Sequence, residues 1–528
     1  MMTESHNESI RLFPSPRVTK ATSIPLSILD STCARFGNTG AVWLFGAPES
    51  GQQEVGREFV DTLKSSFVAT LSDFPQWAGQ LHWAPFRLGG HHTERFNRAM
   101  ITYGCESDPG VEWNVVHHDF TLNSILPGSS EVLHGVWLGD TFPQGGLISP
   151  RRMALSNLKD CEGMPGMQVQ INVFACGGYG VGIKLAHPLA DASSMMVFVH
   201  QWAAKSRGLF GEPSSSLFDG PVFDPSQLDS RAAGHIDGDA LDDSIAQTAR
   251  SLPLHRFSWW DTDEPGYSPW LVASTKNSMP PADVLDQMTV APSTIGPWRT
   301  WDLTRPVSWG LLHFTGRELL HLKSLALQGV PEGTTISQTD ALMAVMFRLI
   351  TRSRAYTQAD DDEVFLNVTL DARRRVSPPL SETSIGSPLL LTHVKGLASA
   401  VRSASIGELA LRLRTTIQLF TPDKMAAILH DAAYEVSPQR LWLGFIGTLH
   451  IIATSWQRLK LYEVIFDKGG KRPQYVHSVM DKCDGTLVIL DPITTDGGVD
   501  IALYLDAEAM SHFREELRKE RNEMAARM

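Results

Sequence analysis

Apolar residues recur at helical spacing in several parts of the chain. In the first of these, the residues spaced by four are Phe59, Leu63, Phe67 and Leu71. Residues at that spacing share one face of a helix, which predicts an amphipathic helix from Val55 to Leu71. Ser337 to Ile350 is predicted as a second helix, because Ser337 can cap its start with Asp340 three residues on. Asp506 to Met528 is predicted as a charged amphipathic helix.

Strand patterning is clearest in the middle of the first half. Apolar and polar residues alternate from Gln168 to Phe174, which is the period of a β-strand. Glycines within residues 177–180 then predict a tight turn into a second strand, Val181 to Leu185. A residue that precedes proline avoids the helical conformation. His187, which precedes Pro188, is therefore predicted at the end of this second strand.

Three further segments complete the predicted elements. Ile24 to Phe45 is predicted as extended and buried, with a break at Gly37-Asn38. Asp191 to Trp202 is predicted as the helix that follows the histidine. Val364 to Leu370 is predicted as a strand of the second half.

The composition changes between Lys205 and about Trp301. This stretch is rich in Ser, Asp, Pro and Gly and shows little periodicity, which is typical of a crossover linker. It also holds five tryptophans, so parts of it are expected to pack onto the domains. The predicted organisation is a polar leader at 1–20, an N-terminal domain at 21–204, a crossover linker at 205–304 and a C-terminal domain at 305–528.

Length and charge limit the classes of function. The chain has 528 residues, 42% of them hydrophobic and 20% charged, so it can bury sizeable cores without a metal or disulfides. Its formal net charge of −12 argues against nucleic-acid binding, which needs a basic face. A polyanionic ligand would need a local basic patch to overcome this charge.

Cysteine usage and hydropathy predict where the protein works. The five cysteines are scattered and lack metal-ligand spacing, which is typical of reduced thiols. Residues Met1 to Val18 are polar and lack the apolar core of a signal peptide. No run approaches the roughly 18 apolar residues of a membrane span. We therefore expect a cytoplasmic protein without a membrane span.

The segment His187-Pro188-Leu189-Ala190-Asp191 is open to three interpretations on its own. The histidine can be a satisfied turn residue, with Asp191 capping the next helix. The two side chains can bind a metal, although no further ligands cluster nearby. Alternatively, His187 can act as a general base, because the pKa of histidine suits proton transfer near neutral pH.

The surroundings of this segment resemble the BAHD superfamily of CoA-dependent acyltransferases, particularly fungal members that modify secondary metabolites. The resemblance extends over nearly the whole chain from about Ile24, with its motifs in the family's order. Those motifs are Val169 to Gly178, His187 to Asp191, Phe198, Trp202, Ser337 to Leu342, Asp371-Ala372-Arg373, Pro378-Pro379-Leu380, Gly386, Thr454-Ser455-Trp456, Leu461-Tyr462-Glu463 and Phe466.

The resemblance implies an α/β (α+β) fold of two chloramphenicol-acetyltransferase-like domains. Each would be a mixed sheet flanked by helices, with a tunnel at their interface. His187 would be the base that takes a proton from the acceptor and passes it to the CoA thiolate. Asp191 would point away from substrate and pair with Arg373. Thr454 and Trp456 match positions at the reaction centre, where Thr454 can donate to an oxyanion and strand packing alone is the alternative.

One family signature, Asp-Phe-Gly-Trp-Gly, is degenerate in this chain. The matching stretch is Ile465 to Gly469, in which only Phe466 and the last glycine agree. A basic loop follows, and its Lys468, Lys471 and Arg472 are candidate contacts for CoA phosphates. A solvated surface hairpin is the alternative for this loop.

The resulting hypothesis is a monomeric O-acyltransferase that moves an acyl group, expected to be acetyl, from acyl-CoA to a small secondary metabolite. Acyl-CoA is a co-substrate, and we expect no bound cofactor and no metal. Two other functions remain open. One is a condensation-type transferase that uses carrier-bound acyl donors, and the other is a non-catalytic binder of CoA or a metabolite.

Overall fold

The computed structural model describes most of the chain. The described ranges are 8–34, 37–47, 55–154, 162–212, 215–258, 260–261, 263, 266–267, 279–286, 288, 290–294, 296–302, 304–441 and 447–527. Two large mixed sheets, each covered by helices, dominate this part of the chain, and a small sheet of three strands accompanies them. The mixed α/β class expected from the sequence is confirmed.

Sixteen strands are named in the described part of the chain. They are β1 Glu8–Leu12, β2 Thr22–Pro25, β3 Asn38–Phe45, β4 Gln80–Trp83, β5 Ala99–Tyr103, β6 Val111–His118, β7 Trp137–Leu138, β8 Met167–Phe174, β9 Tyr179–Ala186, β10 Val307–Phe314, β11 Glu363–Asp371, β12 Leu389–Leu397, β13 His450–Trp456, β14 Tyr475–Ser478, β15 Thr486–Leu490 and β16 Val499–Asp506.

The α-helices are labelled in the same way. They are α1 Ile28–Thr32, α2 Arg57–Leu71, α3 Ser129–His134, α4 Gln144–Leu147, α5 Ala192–Leu209, α6 Ser226–Asp229, α7 Asp243–Arg250, α8 Ala282–Leu285, α9 Gly316–Gln328, α10 Gln338–Ser353, α11 Ala398–Ser403, α12 Ile406–Gln418, α13 Pro422–Ala433 and α14 Ala507–Arg527. None of the described helices is both long and apolar enough to span a membrane.

The two large sheets exchange strands between the halves of the chain. The first sheet has the order β1-β6-β8-β9-β3-β14, and the second has the order β12-β11-β13-β15-β16-β10-β7. β14 comes from the second half of the chain but pairs with β3. β7 comes from the first half but pairs with β10. Each half therefore completes the sheet of the other, and main-chain hydrogen bonds fix their relative position.

The hairpin that leads to His187 agrees with the sequence prediction. β8 and β9 are antiparallel neighbours, and every residue of both strands is buried. The polar face of β8 is buried because a neighbouring segment covers it. Gln170 donates to the carbonyl of Gly146 at 2.7 Å, and Asn172 donates to that of Leu147 at 3.0 Å. The hairpin is thus fully enclosed, which holds its end firmly.

Helix packing follows the predicted apolar faces. Phe59, Leu63, Phe67 and Leu71 of α2 are buried. Phe67 meets the rings of Phe198 and Trp202 on α5, with ring centroids 5.4 and 5.1 Å apart. On the second sheet, α10 starts at Gln338 behind the predicted capping box of Ser337 and Asp340. It packs against α9, α12 and α14.

Two local expectations differ from the structure. The stretch from Ile24 to Phe45 is not continuously extended, because α1 interrupts it between two strands. Ser27 and Asp30 form a capping box at the start of α1, a signal that the strand interpretation overlooked. Within the polar leader, residues 8–12 form β1 and pair with β6. In the predicted linker the described helices are the end of α5, the short helices α6, α7 and α8, and a 3-10 turn at Trp298–Thr300.

Candidate active site

A cavity of about 610 Å³ lies where the end of the β8–β9 hairpin faces the second sheet. Its wall on the hairpin side carries His187 and Asp191. Its wall on the sheet side is formed by residues of β11, β12, β13 and β15, including Thr369, Leu391 and Thr454. The cavity is therefore built by both halves of the chain, and neither half encloses it alone.

The local sequence explains how His187 reaches this cavity. β9 ends at Ala186, and His187 to Leu189 form a single turn of 3-10 helix with Pro188 in its first turn. Asp191 then caps α5, because its carboxylate accepts the backbone N–H of Ser194 at 2.9 Å. The fixed φ of Pro188 and the cap of α5 hold the histidine between a rigid strand and a rigid helix.

Asp191 and Arg373 form a buried ion pair across the two halves. Both side chains are at most 5% exposed, and Nη1 and Nη2 of Arg373 lie 2.6 and 3.1 Å from the two carboxylate oxygens. Arg373 also contacts Asp371 at 3.2 Å. Burial opposes the charge of Arg373, but the Asp191 and Asp371 carboxylates raise its pKa above the ordinary value. The pairing predicted from the sequence is present in the structure.

The imidazole of His187 is held at its Nδ1 side. Nδ1 lies 2.8 Å from Oγ of Ser387, a buried residue just before β12. Burial lowers the pKa of His187, while a hydrogen bond to its own carbonyl and the charge of Asp191 oppose that change. A lowered pKa keeps the ring neutral near neutral pH, and a neutral ring can accept a proton.

Thr454 and Trp456, which the sequence analysis predicted near the reaction centre, line the same cavity as His187. Both line the cavity from the same face of β13, two residues apart. The apolar residues that line the cavity with them include Leu389, Leu391, Ile452, Leu459, Val479 and Met480. Thr454 thus places a hydroxyl in a largely apolar surrounding, where a hydrogen bond to developing charge is strengthened.

The structure does not bring the predicted basic loop to this cavity. Lys468, Lys471 and Arg472 are absent from its lining. Nζ of Lys471 donates to the carbonyl of Ala47, and the N–H of Gly469 donates to Glu212 at 2.9 Å. These contacts tie the loop to the chain just after β3 and just after α5. The cavity therefore gives no support to a role of this loop in CoA binding.

A basic residue that the sequence analysis did not single out does reach the cavity. Arg458 follows β13 and lines both the main cavity and an adjoining one of about 410 Å³. It adopts a left-handed backbone conformation, with φ of 66°, and its N–H donates to Asp491 at 2.6 Å. Gln338 and Thr339 at the start of α10 line the adjoining cavity. The sequence did offer one signal for Arg458: it is a cation two residues after the Thr454-Ser455-Trp456 motif.

One cluster among the described residues has the composition of a metal site. It consists of His91, His92 and Asp237, none of which lines the main cavity. Both ring nitrogens of His92 already face carboxylates, Nδ1 at 2.9 Å from Asp237 and Nε2 at 3.1 Å from Asp229. These hydrogen bonds account for the cluster as a link between the linker and the first half of the chain.

Comparisons with known proteins agree with this geometry. The model of the Transferase family matches residues 152–261 and 312–520, more than half of the chain. Acyltransferase AFT15-1 of Alternaria alternata is 26% identical over 94% of both chains. Acyltransferase abl6 of Leptosphaeria maculans is 24% identical over 83% of this chain and 80% of its own.

Solved structures share the fold. That of F. graminearum TRI101 complexed with coenzyme A and deoxynivalenol superimposes with a TM-score of 0.63, at 16% identity over 93% of this chain and 96% of that one. Vinorine synthase superimposes with a TM-score of 0.60, at 16% identity over 96% of each chain. The chain belongs to the Transferase family, that of the BAHD acyltransferases, and the resemblance noted in the sequence is confirmed. It is an acyltransferase enzyme.

Removing one partner of the buried ion pair should destabilise the protein strongly. In Arg373→Met the Asp191 carboxylate would stay buried without its counterion, which typically costs about 3–5 kcal/mol of unfolding free energy. Arg374→Met is the matched control, because that arginine and its partner Glu382 are largely exposed, at 72% and 69%. An exposed pair contributes only about 0–1 kcal/mol. Equal urea midpoints for the two variants would contradict the assignment.

Proposed function

We propose that the protein transfers an acyl group, with acetyl as the expected group, from acyl-CoA to a hydroxyl of a small molecule. The observation that carries this proposal is a histidine held in place by Ser387 inside a cavity shared by both halves. A general base must lie within reach of the proton that it removes. His187 meets that requirement for an acceptor hydroxyl bound in the cavity, and Asp191 with Arg373 holds the turn on which it lies.

The residues suggest the following sequence of steps. Nε2 of His187 takes the proton of the acceptor hydroxyl as its oxygen attacks the thioester carbonyl. The hydroxyl of Thr454 donates to the oxyanion that forms, and one such donor typically contributes roughly 10²–10³ in rate. The tetrahedral intermediate collapses, the C–S bond breaks, and the proton passes from His187 to the departing CoA thiolate. No covalent intermediate on the protein is required.

The adjoining cavity at Arg458 is the better candidate for the phosphates of CoA. Phosphate groups are favoured at a helix N-terminus and by guanidinium groups, and this cavity combines the start of α10 with Arg458. It is contiguous with the main cavity, because Gln457 and Arg458 line both. A local cation matters here because the chain as a whole carries a net charge of −12.

The acceptor is proposed to be a small and largely apolar alcohol. The sheet-side wall presents Leu389, Leu391 and Ile452, and Met480 lies on another side of the cavity. Polar side chains that also line the cavity, among them His187 and Thr454, can orient such a ligand. The solved structures of TRI101 hold coenzyme A together with deoxynivalenol or T-2. These two toxins are therefore sensible first acceptors to test.

Replacing His187 should abolish transfer without unfolding the protein. His187→Ala is expected to lower kcat by roughly 10²–10⁴, the usual contribution of a general base. The assay follows release of free thiol from acetyl-CoA in the presence of a panel of apolar alcohols. His134→Ala is the control, since His134 is exposed on α3. Transfer by His187→Ala near the wild-type rate would refute the proposal, and transfer from carrier-bound acetyl alone would indicate the condensation-type alternative.

The pH dependence should reflect the lowered pKa of His187. The base works only when it is unprotonated, so activity is lost as the pH falls through its pKa. Because burial lowers that pKa, the acidic midpoint of kcat/KM is expected below the ordinary histidine value of about 6.5. The check is a profile of kcat/KM over roughly pH 5 to 9. An acidic midpoint above the ordinary value would contradict the assigned environment.

Two basic sites can be compared directly for CoA binding. Arg458→Ala is expected to raise the KM for acetyl-CoA about 10-fold, which corresponds to ~1.4 kcal/mol, with a much smaller effect on the acceptor. Lys471→Ala and Arg472→Ala are expected to leave that KM close to the wild-type value. If the latter variants raise the KM and Arg458→Ala does not, the loop predicted from the sequence is the phosphate site.

A further inference from the structure

Ser387 joins the second half of the chain to the ring of His187. It is fully buried, and its Oγ lies 2.8 Å from Nδ1. The backbone carbonyl of His187 itself also accepts a hydrogen bond from the ring. Nδ1 is the ring nitrogen near the main chain, and a carbonyl oxygen can only accept, so this contact favours the tautomer with the proton on Nδ1. Oγ of Ser387 is then a second acceptor for this N–H.

The hydroxyl of Ser387 can donate its own proton to a different partner, the thiol of Cys33. The Sγ of Cys33, a fully buried residue just after α1, is a hydrogen-bond partner of the Ser387 side chain. The thiol of Cys33 in turn donates to the carbonyl of Asp30 at 3.2 Å. The donors therefore run in one direction, from Nδ1 of His187 through Ser387 and Cys33 to the main chain of α1.

A buried carboxylate holds the main chain of Ser387. Oδ1 of Asp30 accepts the N–H of Ser387, while Oδ2 accepts from the N–H and the hydroxyl of Ser27 at 3.0 and 2.7 Å. Asp30 is only 2% exposed. Its capping box at α1 therefore extends to the residue that contacts the catalytic base.

The neighbouring Gly386 brings Ser387 close to the histidine turn. Its carbonyl accepts from the N–H of Asp191 at 3.0 Å and from the hydroxyl of Ser194 at 2.8 Å. Its φ is +148°, and a Cβ built on it would lie 2.8 Å from Oδ1 of Asp30. Any larger residue would push this segment away from Asp30. The position is thus shaped to hold Ser387 against both α1 and the turn of His187.

From this geometry we infer that Ser387 is a positioning residue for acyl transfer, which fixes the Nδ1–H tautomer of His187 and aims Nε2 at the acceptor. The inference rests on the proposed function. The acceptors at Nδ1 are a neutral hydroxyl and a carbonyl, where a catalytic triad has a carboxylate. Ser387 orients the ring without adding a negative charge behind it. Asp30 and Gly386 fix the place of Ser387, and neither contacts the ring in the described hydrogen bonds.

The first test is the kinetic effect of Ser387→Ala. This variant removes one hydroxyl and keeps the N–H bound to Asp30. We expect kcat to fall about 10- to 100-fold, less than the 10²–10⁴ that a general base contributes, because the carbonyl of His187 still accepts from Nδ1. The KM values for acetyl-CoA and acceptor should stay within about two-fold of wild type, since Ser387 contacts neither in this arrangement.

Two companion variants separate positioning from packing. Ser387→Thr keeps the hydroxyl and should recover most of kcat. Ser384→Ala removes a hydroxyl from the same segment that has no hydrogen-bond partner, and it should behave as wild type. The melting temperatures of all three variants are measured by circular dichroism. A kcat of Ser387→Ala within two-fold of wild type, or an equal loss in Ser387→Thr at an unchanged melting temperature, would overturn the inference.

A chemical readout keeps this test independent of turnover. Diethyl pyrocarbonate modifies unprotonated imidazole, and mass spectrometry of the peptide that contains His187 gives its rate against pH. Loss of an acceptor for the charged ring should move the midpoint to lower pH in Ser387→Ala but not in Ser384→Ala. If the wild-type protein turns over no thioester, the proposed function fails. The pH midpoint of modification then decides by itself whether Ser387 positions the ring of His187. An identical midpoint in wild type and Ser387→Ala would then overturn the inference.

Discussion

The ion pair between Asp191 and Arg373 is the interaction on which the site depends. It joins the start of α5 in the first half to the end of β11 in the second, and both groups are buried. Two charges taken out of water are tolerable only when each has its partner and further hydrogen bonds. Here Ser194 and Gly386 supply these further bonds to Arg373. The ion pair therefore holds the turn between His187 and Asp191 in place, and with it His187.

Strand exchange also joins the two halves of the chain, over a larger area than the ion pair. β14 closes the edge of the first sheet, and β7 closes the edge of the second. An exchanged strand binds through main-chain hydrogen bonds, which tolerate little sliding because the register sets which side chains face inward. The exchanged strands therefore fix how the two sheets lie on either side of the cavity. A general base benefits from this rigidity because small displacements of the reacting groups are costly in rate.

In the part of the chain that the structure describes, the polar groups next to His187 place no carboxylate against its ring. The carboxylate of Asp191 is turned toward Arg373, and the contact on Nδ1 of His187 is a hydroxyl. Burial consequently dominates and lowers the pKa of His187. His187 is the proposed base, while Arg458, the cation proposed to bind phosphates, lines the adjoining cavity. In the proposed function, proton transfer and anion binding are therefore separated in space.

The sequence by itself determined the family, the hairpin before His187 and the pairing of Asp191 with Arg373. Local rules suffice for such features: alternation predicts a strand, a proline ends it, and an Asp caps the next helix. The capping box of Ser337 and Asp340 was equally readable, and that of Ser27 and Asp30 was readable but overlooked. What is local in the chain can be predicted from the chain.

Only the tertiary structure decided which distant residues meet at the base. Ser387 contacts His187 across 200 positions, and Asp30 contacts Ser387 across 357. No periodicity encodes such contacts, because they depend on how two sheets and a short helix pack. The same holds for the cations: Lys468, Lys471 and Arg472 looked suited to phosphates, but the fold places Arg458 at the cavity instead. Charge is visible in a sequence, whereas the cavity that uses it exists only in the folded chain.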